Sequence, residues 1–175
     1  MTKAELAKEI YSISNIRGQF LLRSGQTSTE YFDKYLFEAK PRCLQEAAQH
    51  AVALLPSGTT TLAGLEMGGI PVATMISHYT GVDCLFIRKE AKQYGTCRYA
   101  EGGEVAGKTL VVIEDVVTSG GAILDAVEKL RADGAVINDV ICVIDRQSGG
   151  REKLAAQGLM LHALFTKEDL ENSRD

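Results

Sequence analysis

Apolar positions follow two regimes along the chain. In the first third they recur mainly at helical spacing. Leu6, Ile10 and Ile13 follow a Thr2-x-x-Glu5 capping-box spacing, which predicts an amphipathic helix at about 3–14. The stretch from Pro41 to Leu55 is rich in alanine and leucine, can start on its proline and is stopped by Pro56-Ser57-Gly58, so it predicts a second helix. Between these lie Phe20-Leu21-Leu22, a Ser24-Gly25-Gln26-Thr27-Ser28 turn, Tyr31-Phe32 and Tyr35-Leu36-Phe37. That segment predicts a two-stranded excursion, a hood of about residues 15–40 outside the core.

Beyond residue 56 short apolar strands alternate with helices. Strands are predicted at 60–63, 84–88, 110–115, 136–145 and 159–165. Helices are predicted at 71–79, at 121–132 with Gly134 as its stop, and at about 151–156. Strands apolar on both faces and alternating with helices imply an α/β fold. Its mainly parallel sheet is flanked by helices, and ligands bind at the carboxyl ends of the strands. Residues 1–175 are expected to form a single domain with its core at about 41–175. One segment, 89–104, is too long and polar for an ordinary connection and reads as a mobile functional loop.

Composition narrows the function. With 45% apolar residues in 175, the chain can bury a substantial core, which excludes disorder as a description of the whole. Its 23 acidic and 19 basic residues leave a net charge of −4, so no global field draws it to nucleic acid or anionic membrane. An anionic ligand must therefore be held locally. Cys43, Cys84, Cys97 and Cys142 show neither C-x-x-C spacing nor a neighbouring histidine, and read as reduced thiols of a cytoplasmic protein. No apolar run approaches the roughly 20 residues needed to span a bilayer, and the N-terminus has no signal-like stretch.

The most informative segment is an apolar strand ending in Glu114-Asp115-Val116-Val117, followed by Thr118-Ser119-Gly120-Gly121-Ala122 at the start of a helix. The glycines allow close backbone approach, and the hydroxyls stand beside free helix N–H groups, a combination suited to a phosphate monoester. Two adjacent carboxylates would repel a polyphosphate but accept hydrogen bonds from sugar hydroxyls. Together they describe a site for a ribose 5-phosphate; the alternative is an ordinary strand-to-helix turn.

Three further groups fit an anionic substrate. Arg88, Lys89 and Lys92, with Tyr94 beyond them, open the long loop; they are suited to pyrophosphate, or else form a solvated charge run. Gly64-Leu65-Glu66-Met67-Gly68-Gly69-Ile70-Pro71 joins a strand to a helix, either as a pyrophosphate-binding turn or as a tight turn without ligand. Asp145-Arg146-Gln147 ends a strand in a guanidinium, whose planar donors match a carboxylate or ring carbonyl unless Arg146 pairs with Asp145. His50, His78 and His162 fall outside these motifs and read as surface or satisfied core residues.

The 114–122 segment resembles the 5-phosphoribosyl 1-diphosphate (PRPP) signature of type I phosphoribosyltransferases. The string Arg88-Lys89-x-x-Lys92-x-Tyr94-Gly95 resembles the flexible catalytic loop of the orotate branch, which often has histidine where Tyr94 stands. Arg23, Tyr31 and Phe32 agree with that family's hood, where many relatives have lysine in place of Arg23. Some relatives also carry a lysine near Gly68. The resemblance runs from the hood to Arg146 and implies the type I phosphoribosyltransferase fold.

It further implies transfer of ribose 5-phosphate from PRPP to orotate, in pyrimidine synthesis. Arg88, Lys89, Lys92, Tyr94 and Asp115 would act in catalysis. Residues 114–122, the loop cations with Tyr94, and Glu66, Met67 and Gly68 would bind PRPP. Arg146, Thr118, Arg23, Tyr31 and Phe32 would meet orotate. Mg²⁺ would be held mainly by PRPP rather than by protein ligands, and a homodimer would share its sites, with no nucleic-acid or membrane partner. A phosphoribosyltransferase for another base and a PRPP-sensing, non-catalytic regulator are the alternatives.

Overall fold

The computed structural model describes residues 1–22 and 25–174. Helix α1 (Lys3–Ser14) starts on the expected capping box, with Thr2 and Glu5 exchanging hydrogen bonds, and buries Leu6, Ala7 and Ile10. Strands β1 (Asn15–Leu21) and β2 (Thr27–Phe32) pair antiparallel as the hood hairpin. The short helix α2 (Lys34–Glu38) corrects the expectation that Tyr35-Leu36-Phe37 continues the two-stranded excursion. Asp33 Oδ1 accepts the Tyr35 N–H at 3.1 Å to start the helix, and Phe37 is fully buried in the core. Helix α3 (Pro41–Val52) begins on its proline as expected.

The remaining elements alternate: β3 (Thr61–Leu65), α4 (Gly69–Thr80), β4 (Asp83–Ile87), β5 (Ala100–Glu101), β6 (Thr109–Val117), α5 (Gly121–Ala132), β7 (Val136–Asp145), α6 (Gly150–Ala155), β8 (Met160–Thr166) and α7 (Lys167–Asn172). The six-stranded sheet has the order β5-β4-β3-β6-β7-β8, parallel except for the short edge strand β5. Neither β5 nor α7 is expected from the pattern. Within the 89–104 segment lies β5, and Arg88 N–H at its base donates to Tyr99 O at 2.7 Å.

Strand periodicity divides the core. On β6, Val111 and Ile113 face the layer built by α1, α3, α4 and α7, while Leu110 and Val112 face α5 and α6. Helices thus cover both faces, as continuous apolar strands require. Since β3, β4, β6 and β7 run parallel, the segments after Leu65, Ile87, Val117 and Asp145 emerge at one end of the sheet.

Candidate active site

The turn expected to hold the ribose phosphate follows β6. Gly120 takes a left-handed conformation (φ 74°), open to glycine at little cost, and turns the chain into α5 with the N–H groups of its first turn free for an anion. Thr118 and Ser119 are exposed on this turn, and Val117 anchors it in the core. Gly150 supports it from behind: a Cβ there would lie 2.4 Å from Thr118 O.

Asp115 is fully buried at the end of the same strand, and Glu114 is nearly so. Asp115 Oδ1 accepts the Val116 N–H at 2.6 Å. Lys34 of α2 donates to Oδ1 at 2.9 Å and lies 2.7 Å from Oδ2. The far side of the carboxylate meets Gly68, where a Cβ would fall 1.7 Å from Oδ2. Gly68 is thus required by contact with Asp115, whatever the turn itself binds.

Burial and Asp115 push Glu114 well above the usual carboxylate range. Burial and the same neighbour push Glu38 up to about 9. Burial would also raise Asp115, but contacts from Glu114, Glu38 and Lys34 outweigh it and hold Asp115 below its ordinary value. Desolvation opposes the charge on Lys34, yet Asp115 holds its ammonium above the ordinary lysine value. One carboxylate and one ammonium, flanked by two neutral acids, is the charge state this packing favours.

The β7 end places Arg146 beside this turn. Its N–H donates to Val117 O at 2.9 Å, and its guanidinium carbon lies 5.4 Å from the centre of the Phe32 ring. The alternative Asp145–Arg146 ion pair is not formed: Asp145 accepts from Gln147 N–H at 2.8 Å and from Arg151 Nε at 3.2 Å. Gln147 Oε1 in turn accepts the Glu168 N–H at the start of α7. Arg146 is thereby left to face the hood, beside a cavity of about 240 Å³ that Phe32 also lines.

Residues 38–159 match the phosphoribosyl transferase domain family. An orotate phosphoribosyltransferase from Nocardioides sp. is 52% identical over 172 residues, covering 98% of this chain and 96% of that protein. The chain belongs to the orotate phosphoribosyltransferase family. The orotate phosphoribosyltransferase of Mycobacterium tuberculosis, solved with Fe(III) dicitrate, has a TM-score of 0.88 at 32% identity, over 96% of this chain and 98% of that one. The same enzyme in complex with PRPP has a TM-score of 0.83 at 30% identity, over 97% and 98%.

Within this family member, not all of the expected side chains converge. Glu114, Asp115, Gly68, residues 116–122, Arg146 and Phe32 gather around the ends of β6 and β7. Tyr31 instead packs against Phe20 with ring centroids 5.6 Å apart, and Met67 is exposed. Arg23 lies outside the described residues. Arg88 is exposed at the loop base. Lys89 is held by its backbone, whose N–H donates to Glu66 Oε1 while Lys129 Nζ donates to its carbonyl at 3.0 Å. Glu66 thus acts here as a loop anchor, which explains an acid in a turn expected to take pyrophosphate. Lys92 pairs with Glu101, and Tyr94 projects into solvent at 75% exposure.

Sequence reading missed Lys34, Glu38, Lys129, Arg151 and the supporting role of Gly150. An i,i+4 pair of charged residues behind an Asp cap was the available signal for Lys34 and Glu38. The other three are defined by contacts between distant segments, for which the sequence holds no local signal. Among the described residues no helix is long and apolar enough to cross a membrane.

Proposed function

We infer that this chain transfers ribose 5-phosphate from PRPP to orotate, giving orotidine 5′-monophosphate and pyrophosphate. The observation that carries the reading is the main-chain bond from Arg146 N–H to Val117 O, which brings this arginine alongside the 118–122 turn, where its guanidinium would recognise the base. The phosphate would lie on the N–H groups and hydroxyls of residues 118–122. The ribose hydroxyls would lie against Asp115 and Glu114, and the orotate carboxylate or ring carbonyl against Arg146.

As the bond from C1 to pyrophosphate breaks, the ribose gains oxocarbenium character and the leaving group gains charge. The protein then works by holding the reactants in line and stabilising that charge, with no enzyme nucleophile. Arg88, Lys89, Lys92 and Tyr94 open the segment suited to close over the pyrophosphate. The Lys89 N–H bond to Glu66 and the pairing of Lys92 with Glu101 describe a loop that would have to rearrange when it closes.

Mg²⁺ suits this site as a companion of PRPP. Lys34 already neutralises Asp115, and Glu114 favours its neutral form, so the acidic pair would reach such an ion through the ribose hydroxyls it binds. When bound, the ion would supply charge neutralisation as the pyrophosphate leaves, while Glu114 and Asp115 hold the ribose hydroxyls beside it. A homodimer sharing its sites is supported by loop side chains engaged elsewhere, Lys92 with Glu101 and Tyr94 with solvent, and cytoplasmic placement by four free thiols.

A steady-state assay with PRPP, Mg²⁺ and a panel of bases tests the reading. Orotate should be consumed, and uracil and adenine should not. Equal turnover of uracil would transfer the chain to another base, and PRPP binding without turnover of any base would leave a sensor.

A further inference from the structure

Asp115 receives support from the hood as well as from its own strand. Lys34 and Glu38 stand four residues apart on α2, so both project from one face of a single helical turn, and both reach Asp115. Helix α2 follows β2 after Asp33 alone, which places Phe32 of the base side two residues from Lys34 of the ribose side. The same Lys34 brings a positive charge to a turn, Glu66-Met67-Gly68-Gly69, that has none of its own.

We infer that Lys34 is a positioning residue for the ribose of PRPP, acting through Asp115, with Glu38 closing the clamp one turn later. The inference rests on the proposed function. Three carboxyl groups, those of Glu38, Glu114 and Asp115, meet in a desolvated cluster with one ammonium. Carboxylates this close cannot all ionise, and the ammonium decides which one does. Direct contact with Lys34 makes it Asp115. Glu38 Oε1 is buried and accepts no hydrogen bond among the described residues, which suits a carboxylic acid that donates toward Asp115 rather than a carboxylate.

An ionised, rigidly held Asp115 is an acceptor only, matched to sugar hydroxyls that must donate. Without Lys34 the buried group takes up a proton and becomes a donor in part, and its rotamer is left to Val116 N–H, the wall of Gly68 and the neighbouring acids Glu38 and Glu114. The phosphate cradle at 118–122 uses backbone N–H groups and hydroxyls and does not depend on this cluster.

The test compares a ligand that has the diol with one that lacks it. Ribose 5-phosphate and inorganic phosphate are titrated calorimetrically into the full-length wild type, Lys34→Met and Lys34→Arg. The wild type should bind both. Lys34→Met should lose about ten-fold or more in affinity for ribose 5-phosphate, the effect of removing a hydrogen bond to a charged group, while inorganic phosphate binds as before.

Lys34→Arg, which keeps the charge and donors, should recover much of the loss. In steady state Lys34→Met should raise KM for PRPP more than it lowers kcat. Lys34→Gln carries the same comparison if Lys34→Met does not fold. Equal loss of both ligands means a structural role, and no loss of either means no role; each overturns the inference and leaves the function standing. A wild type that binds phosphate but not ribose 5-phosphate overturns the ribose site itself, and the proposed function with it.

Discussion

The guanidinium carbon of Arg146 lies 5.4 Å from the centre of the Phe32 ring, so a residue at the end of β7 closes onto the last residue of the hood hairpin. The contact joins two segments proposed to meet the base, while the Arg146 backbone is fixed separately by Val117. Arg146→Ala should therefore leave PRPP affinity nearly intact. Orotate affinity should fall by about one to two powers of ten, the value of a charge-assisted hydrogen bond at a site of this kind. Separate titrations of the two substrates check this; a fall in PRPP affinity without a fall for orotate would place the base elsewhere.

Gly150 bears on the phosphate cradle without touching substrate. Its missing Cβ would meet Thr118 O at 2.4 Å and a methyl of Val117 at 2.7 Å, so Gly150→Ala must displace the turn or α6. Overpacking of this kind costs about 1–3 kcal/mol. The variant should melt at a lower temperature and show a raised KM for PRPP. A variant with unchanged melting and unchanged KM would show that the turn has room the geometry denies it.

Much of this architecture is legible in local pattern. The apolar run before Glu114 and the glycines after Ser119 predict β6 and the start of α5 because strand burial and helix initiation depend on neighbours in sequence. Helix α2 escapes the pattern because its apolar residues, Tyr35 to Phe37, are too few to show a period; its Asp33 cap and the burial of Phe37 decide its form. Helix α7 likewise buries Leu170 and is defined by the capping box of Thr166 and Asp169. The contact of Lys34 with Asp115 spans 81 residues, and that of Gly68 with Asp115 spans the β3 to β6 crossing. Such pairings follow from strand order, which no single segment encodes.

Glu38 should leave its mark on the pH dependence of stability. Folding raises its carboxyl from 4.5 to about 9, so between these values the native chain retains a proton that the unfolded chain has released. Stability linked to this group is fully present below about pH 4.5 and is lost as pH rises toward 9. Glu38→Gln keeps the shape and a donor but cannot ionise. Its stability relative to wild type should improve steadily from pH 5 to pH 9, read as urea midpoints. Glu114 shifts in the same direction and remains in both proteins, so the difference between the two curves is the diagnostic quantity. A constant difference across the range would mean that Glu38 ionises normally in the native state.

The proposed sharing of sites makes a prediction about mixtures. Lys92 pairs with Glu101 and Tyr94 stands in solvent, so neither serves the ribose turn of its own chain in this arrangement. In a homodimer whose loops cross between subunits, Lys92→Ala should bind PRPP reasonably but react slowly, because pyrophosphate charge grows as the C1 bond breaks. Asp115→Ala should fail at the ribose instead. When the two inactive homodimers exchange subunits, both lesions fall in one site of each mixed dimer, and the other site contains an intact Lys92 and an intact Asp115. Activity should then reappear, approaching half the wild-type value per mixed dimer because one of its two sites is whole. Subunit exchange, followed by tagging one variant, must be demonstrated in the same experiment. Exchange without recovered activity, or full activity in a monomer, would return Lys92 to its own chain.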